Sequence, residues 1–417
     1  MTIVVTKSSP VAVTGPEKLG TARRGIINLS SFDKCLAPIP VSLLLIFDQP
    51  IDDPVETIKK ALSQALVLYY PMAGRLVAGP DGAPNHISCS GEGVSFVGAL
   101  ASCVLDQFTT WPLLAGQLAP RYPAEYCRSD DAMLLMQVTE FACGGFVVGV
   151  TWNHVMADAA GMAQFLQAVG ELARGMPAPS VVPVRSQVLP CLPPKMVAAA
   201  RSRIRVGTEE MTSLDVTVSW SLIAHIRAEC GGTVFDAVAA VLWQCRTRAV
   251  IFEPDTPVPL VFASNMRGLV GAKRGYYRNC IMRQPVMAMS GTVACGDVKE
   301  LVKLIRLAKE KTPGLLTNGG GGDMLQPTTP PPRYNTLVVT SLRNLGFDEV
   351  DFGRGHPARV MPPLGKVVRT ATNPCVLCPP CMAKDGINVM SFCVKPEHAD
   401  GFLRELAAMH MHMHARL

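Results

Sequence analysis

The apolar residues of this chain come in many short runs, the densest being residues 41–47 (VSLLLIF). Hydrophobic residues make up 48% of the 417 and mean hydropathy is +0.24, so a membrane protein is the obvious competitor. A spanning helix needs roughly 20 consecutive apolar residues, and no run approaches that. The apolar material must instead fill cores between strands and helices, and the length predicts two or three domains. The first residues, MTIVVTKSSPVAV, lack a long apolar segment followed by a small-residue cleavage site and do not read as a signal peptide. A soluble, cytoplasmic protein is expected. Its 14 cysteines then read as reduced, mostly buried thiols. Net charge is +6, spread along the chain, and aromatic residues make up 6%. With no DNA- or RNA-binding motif, this balance predicts no nucleic-acid partner and suits a polyanionic small molecule.

Periodicity gives the coarse organisation. Residues 51–66 have the apolar spacing of a helix, while 134–141 and 146–152 are strand-like runs separated by Ala142-Cys143-Gly144-Gly145, a hairpin signal. Met162, Phe165, Leu166, Val169, Leu172 and Ala173 follow the i, i+3, i+4, i+7 pattern of an amphipathic helix, stopped by Gly175 and Pro177. Residues 177–211, rich in Pro and basic side chains, read as a linker. Beyond it, 233–248 and 301–311 read as helices and 258–264, 335–342 and 387–394 as strands. Residues 318–332, with four consecutive glycines and several prolines, predict a mobile loop. The division expected is an N-terminal domain over 1–177, a linker over 178–212 and a C-terminal domain over 213–417.

The strongest local feature is Asn153-His154-Val155-Met156-Ala157-Asp158. His154 stands where a buried strand ends and a helix is about to begin, which sets a side chain at the rim of a sheet. Asp158 falls in the first helical turn, where free N–H groups and the helix dipole favour a carboxylate. Alone, H-x-x-x-D is a weak signal, and a lone histidine in such a place is more often structural. An imidazole with a pKa near 6.5 is nonetheless suited to general-base work at neutral pH. No G-x-S-x-G elbow supplies a nucleophile.

The order Tyr69-Tyr70-Pro71, Gly74-Arg75, His154…Asp158, Asn265-Met266-Arg267 and Asp351-Phe352-Gly353-Arg354-Gly355 resembles the BAHD acyltransferases. That family is marked by H-x-x-x-D near the middle and D-F-G-W-G towards the C-terminus. The likeness runs over nearly the whole chain and is closest at residues 340–357. It implies an α/β fold of two chloramphenicol-acetyltransferase-like domains with mixed sheets, a long crossover linker and an active-site tunnel at the domain interface. The implied reaction moves an acyl group from acyl-CoA to the hydroxyl or amine of a small molecule. His154 would be general base, and no covalent acyl-enzyme would form. By the same resemblance Asp158 points away from the cavity and pairs with Arg267, and Thr340 and Ser341 contact acyl-CoA. Asp351 is either a second catalytic group or, the physically favoured reading, a loop-stabilising carboxylate. Arg203 and Arg205 could meet the CoA phosphates, although a solvated linker face is favoured. Residues 136–146 look most like grass members that use hydroxycinnamoyl- or benzoyl-CoA, so an aromatic donor is expected. Acyl-CoA is a co-substrate, no bound cofactor is implied, and a monomer without membrane contact is expected.

Two departures stand out: Arg354 replaces the tryptophan of D-F-G-W-G, and Leu342 the usual tryptophan after the Thr/Ser pair. They keep open a non-catalytic binding protein of the same build. A carrier-dependent condensation enzyme is a further alternative, though it usually shows two adjacent histidines and a glycine after the aspartate. This chain has Asn153 and Ala159 at those places. Cys375, Cys378 and Cys381 offer three sulfurs with no fourth ligand at ordinary spacing, so no metal site is expected. His410, His412 and His414 read as a frayed tail, and His356 as a loop residue.

Overall fold

The computed structural model describes residues 3–15, 25–80, 82–105, 112–202, 209–317, 333–364, 367–368, 374–381 and 384–414. Arg203 and Arg205, and the glycine-rich residues 318–332, lie outside the described residues. The chain divides into two compact units. The first comprises Met1–Ile204, Arg267–Cys280 and Leu342–Gly365, the second Arg205–Met266, Ile281–Ser341 and Lys366–Leu417. Arg267 and Asp351 therefore belong to the same unit as His154.

In the first unit a mixed sheet runs in the order Val5–Lys7, Val94–Ala101, Leu134–Phe141, Phe146–Asn153, Pro40–Phe47, Arg359–Met361. Only the pairing of Val94–Ala101 with Leu134–Phe141 is parallel. The predicted hairpin forms over Leu134–Phe141 and Phe146–Asn153. Every residue of the latter strand is buried, as its run of Val and aromatic side chains, interrupted by Gly149 and Thr151, predicts for a strand covered on both faces. Gly149, at its centre, lies so close to the Leu118 carbonyl that any Cβ would overlap it. Helix Pro54–Leu68 starts at a proline, whose missing N–H costs nothing at that position, and packs on helix Ala159–Ala173. Full burial of Phe165, Leu166, Val169 and Met162 contributes roughly 1.5–3 kcal/mol for each side chain.

The expected linker is more ordered than its composition suggests. Val184 bridges to Tyr276, Gln187 donates to the Gly271 carbonyl and accepts from the Lys273 N–H, and Pro194–Ser202 is helical.

The second unit holds another mixed sheet, in the order Leu214–Ser219, Gly386–Ser391, Pro374–Leu377, Leu337–Ser341, Leu260–Asn265, Ile281–Val286. The two central pairings, of Leu337–Ser341 with its neighbours, are parallel. Helix Val234–Val250 is buried along most of its length, and its Trp243 indole donates to the Val258 carbonyl at 2.9 Å. The C-terminal segment corrects one expectation. Ala399–His414 is a helix, not a frayed tail. Phe402 and Leu406, one turn apart, are buried in the core of the unit, and this pair outweighs the polar histidines that follow.

Candidate active site

Strand Phe146–Asn153 delivers His154 at its C-terminal end, half-buried, in a turn that runs to Asp158. The turn is tied down residue by residue. The Asn153 and His154 N–H groups donate to the carbonyls of Met133 and Ile39, each at 3.0 Å. The Asn153 side chain accepts from the Val155 N–H at 3.0 Å, the Asx-type bond that lets the chain leave the sheet. The Trp152 indole reaches across the turn to the Ala157 carbonyl at 2.9 Å.

Asp158 is the N-cap of helix Ala159–Ala173, in extended geometry, accepting from Gly161 N–H at 3.0 Å. It is also one half of a bidentate ion pair. Arg267 Nη1 lies 2.9 Å from Oδ2 and Nη2 lies 2.8 Å from Oδ1, while the Cys280 N–H donates to Oδ2 at 2.9 Å. Four donors thus fill the two carboxylate oxygens, and Asp158 is almost wholly buried. Burial opposes the charge on Arg267, but the Asp158 carboxylate more than offsets it, leaving the guanidinium above its ordinary pKa. Burial raises the Cys280 thiol to about 11, so the sulfur beside this pair is protonated at neutral pH and is no nucleophile.

Helix Ala159–Ala173 can approach the 276–280 segment this closely because residue 161 is glycine. A Cβ there would overlap the Tyr277 carbonyl. Gly161→Ala is expected to cost about 1–3 kcal/mol through overpacking, read as a lower denaturation midpoint with an unchanged slope.

Arg278 and Asn279, which sequence reasoning missed, lie on the same segment. Asp33, wholly buried, pairs with Arg278 and accepts from Asn279. Asn279 also reaches the His154 and Val155 carbonyls. The one local signal was the Ser30-x-x-Asp33 capping box, which marks a helix start and not a site.

Asp351 stands elsewhere in this unit. Its Oδ1 accepts from the Gly353 and Gly355 N–H groups at 2.7 and 3.0 Å, and Arg174 pairs with Oδ2 at 3.5 Å. Next to it Phe352 packs edge-on against Phe47 and Phe146, whose rings stack at 4.7 Å. Phe146 begins the strand that His154 follows, and seven steps of roughly 3.3 Å separate its ends by about 23 Å. Arg354 and His356 are exposed in the same loop. In the second unit Thr340 and Ser341 end strand Leu337–Ser341, both half-buried, in register with Val376 and Leu377. Cys375 is buried with its sulfur 3.5 Å from the Ser391 hydroxyl, and Cys378 points back to the Val376 carbonyl. Among the described residues no group of three or more His, Cys, Asp or Glu is placed to hold a metal, and no helix is long and apolar enough to cross a membrane.

The model of the Transferase family matches residues 5–405. The chain is 45% identical to Acyl transferase 15 of Oryza sativa subsp. japonica, over 98% of this chain and 99% of that one. It is 32% identical to a myricetin 3-O-glucosyl 1,2-rhamnoside 6'-O-caffeoyltransferase of Crocosmia x crocosmiiflora, over 97% and 99%. Among solved structures it is similar in fold to vinorine synthase, with a TM-score of 0.75 at 20% identity, covering 97% of this chain and 98% of that one. The fold is similar as well to F. graminearum TRI101 complexed with coenzyme A and T-2 mycotoxin, with a TM-score of 0.69 at 16% identity, covering 90% and 96%.

Proposed function

The chain belongs to the Transferase family of BAHD acyltransferases and is an acyltransferase, and on that premise we propose that His154 is the general base of an acyl-CoA-dependent transfer. The acceptor hydroxyl or amine gives its proton to the imidazole as it attacks the thioester carbonyl. A tetrahedral oxyanion forms, the CoA sulfur leaves, and His154 returns the proton to it. No acyl-enzyme intervenes. The observation that carries this reading is the occupancy of Asp158. All four of its bonds go to Arg267, Gly161 and Cys280, so the carboxylate braces the turn and is not the third member of a triad. His154 acts as the base on a rigid mount, without Asp158 as its carboxylate partner.

Coenzyme A in the TRI101 complex supports acyl-CoA as co-substrate; we assign its contacts to Thr340 and Ser341, at the end of strand Leu337–Ser341. The caffeoyltransferase relative supports an aromatic donor of the hydroxycinnamoyl or benzoyl class. The test is CoA thiol release by purified protein, crossing acetyl-, malonyl-, benzoyl-, coumaroyl- and feruloyl-CoA with pooled alcohols and amines. Acceptor-dependent release with an aromatic donor is the expected result; release with acetyl- or malonyl-CoA alone contradicts the donor class. Amide formation needs the neutral amine, so an amine acceptor gives rates that climb steeply above pH 7.

Asp351 is given no part in the chemistry. It organises the 351–355 loop at the far end of the His154 strand. Asp351→Ala is expected to cost about 0.5–1.5 kcal/mol through loss of its bonds to the exposed Gly353 and Gly355 N–H groups, with kcat within roughly twofold of wild type. A loss of kcat comparable to that of His154→Ala would return Asp351 to the reacting centre.

A further inference from the structure

We propose that Asn279 is a positioning residue for the base, its carboxamide pinning the backbone on the C-terminal side of the His154 imidazole. The inference rests on the reading of His154 as general base. Asn279 is wholly buried. Its Nδ2 lies 3.0 Å from the His154 carbonyl, 2.9 Å from the Val155 carbonyl and 3.1 Å from Asp33 Oδ1. All three partners are acceptors, so only the NH₂ end of the amide can face them; the flipped amide would set one oxygen against three. The carboxamide is itself held. Asp33 accepts from the Ser30 N–H and hydroxyl and pairs with Arg278, whose guanidinium also donates to the Asn28 carbonyl. A carboxylate so placed is charge-balanced and fixed, and it orients Asn279 towards the turn.

The need for such a clamp follows from where the turn lies. Strand pairing ends at Asn153 and the helix begins at Ala159. The carbonyls of residues 154 and 155 therefore fall outside both ladders. The N–H side of His154 is fixed by Ile39, and Asn279 fixes the other side. Without it, the 154–155 and 155–156 peptide planes can turn, and the imidazole swings with its Cα. A displacement of about 1 Å at a reacting group is enough to lower a rate by roughly 100-fold. Substrate binding, which the clamp does not touch, should change little.

The experiment compares Asn279→Asp, which keeps the shape and loses both donor hydrogens, and Asn279→Ala with wild type and His154→Ala. Gln167→Ala is the control. It removes a donor of similar kind in the same unit, to the Gly346 carbonyl, away from the His154 turn. Both Asn279 variants are expected to lose 10- to 100-fold in kcat with KM for donor and acceptor within threefold, while Gln167→Ala at a similar melting temperature keeps wild-type kcat. A second arm needs no turnover. Diethyl pyrocarbonate acylates neutral imidazole, and peptide mass spectrometry reads each histidine separately. The labelling rate of His154 should change at least threefold in Asn279→Asp, with exposed His356 unchanged. Wild-type kcat in both Asn279 variants, or an unaltered His154 labelling rate, overturns the proposal. Failure of wild type to turn over any donor would instead defeat the reading of His154 as base, and the labelling arm would still decide Asn279.

Discussion

Asp158→Ala is expected to destabilise the first unit by about 3–5 kcal/mol, and Arg267→Ala by a similar amount, because each leaves a buried charge without its partner. The Asp158 change also removes the N-cap of helix Ala159–Ala173 and strips the Cys280 N–H of its acceptor. Asp158→Asn should fall between alanine and wild type, since one amide oxygen can still cap Gly161 while the ion pair is lost. The double alanine variant should lose less than the sum of the singles, as expected for groups in direct contact. Denaturant unfolding checks all four. Additive losses would mean that the bidentate geometry carries no coupling, and the pair would then be two independent contacts.

The second large effect is on rate. His154→Ala should lower kcat by about 100- to 10,000-fold, the usual contribution of a positioned general base, while the melting temperature stays near wild type. The side chain is half-buried, and the bonds that tie the turn run through the backbone of residue 154 and the side chains of Asn153 and Trp152. Removing the imidazole therefore leaves the mount standing. His154→Gln, neutral and of similar reach, should be equally inactive, because an amide cannot take up the proton. A glutamine variant of near wild-type activity would assign His154 a hydrogen-bonding role alone.

Much of the scaffold was legible because its signals are local. The run 146–152 is apolar on both faces apart from Thr151, as expected of a strand covered on both, and Met162 to Ala173 repeat with helical period. The helix Pro194–Ser202 was hidden by the prolines and basic residues that made its surroundings read as linker, although a proline at a helix start is no obstacle. The C-terminal helix was obscured by its Met-His repeat, which draws the eye from Phe402 and Leu406. What connects distant segments was not readable from pattern. The Asp158–Arg267 pair spans 109 residues and came only through family likeness. Strand Arg359–Met361 joins the first sheet beside Pro40–Phe47, a pairing that three residues cannot announce. Beyond the capping box at Ser30 and Asp33, the cluster of Asp33 and Asn279 left no trace, because buried polar clusters form from partners that the fold brings together, here 246 residues apart.

The central claim is that His154 activates the acceptor for direct attack on the thioester. The most direct measurement is a single-turnover rapid quench with enzyme in excess, following CoA, product and intact protein mass together, for wild type and His154→Ala. Wild type should release CoA only when acceptor is present, in step with product and with no gain in protein mass, and the variant should release none on that timescale. CoA release before acceptor is added, accompanied by acylated protein, or equal release by wild type and variant, would contradict the account.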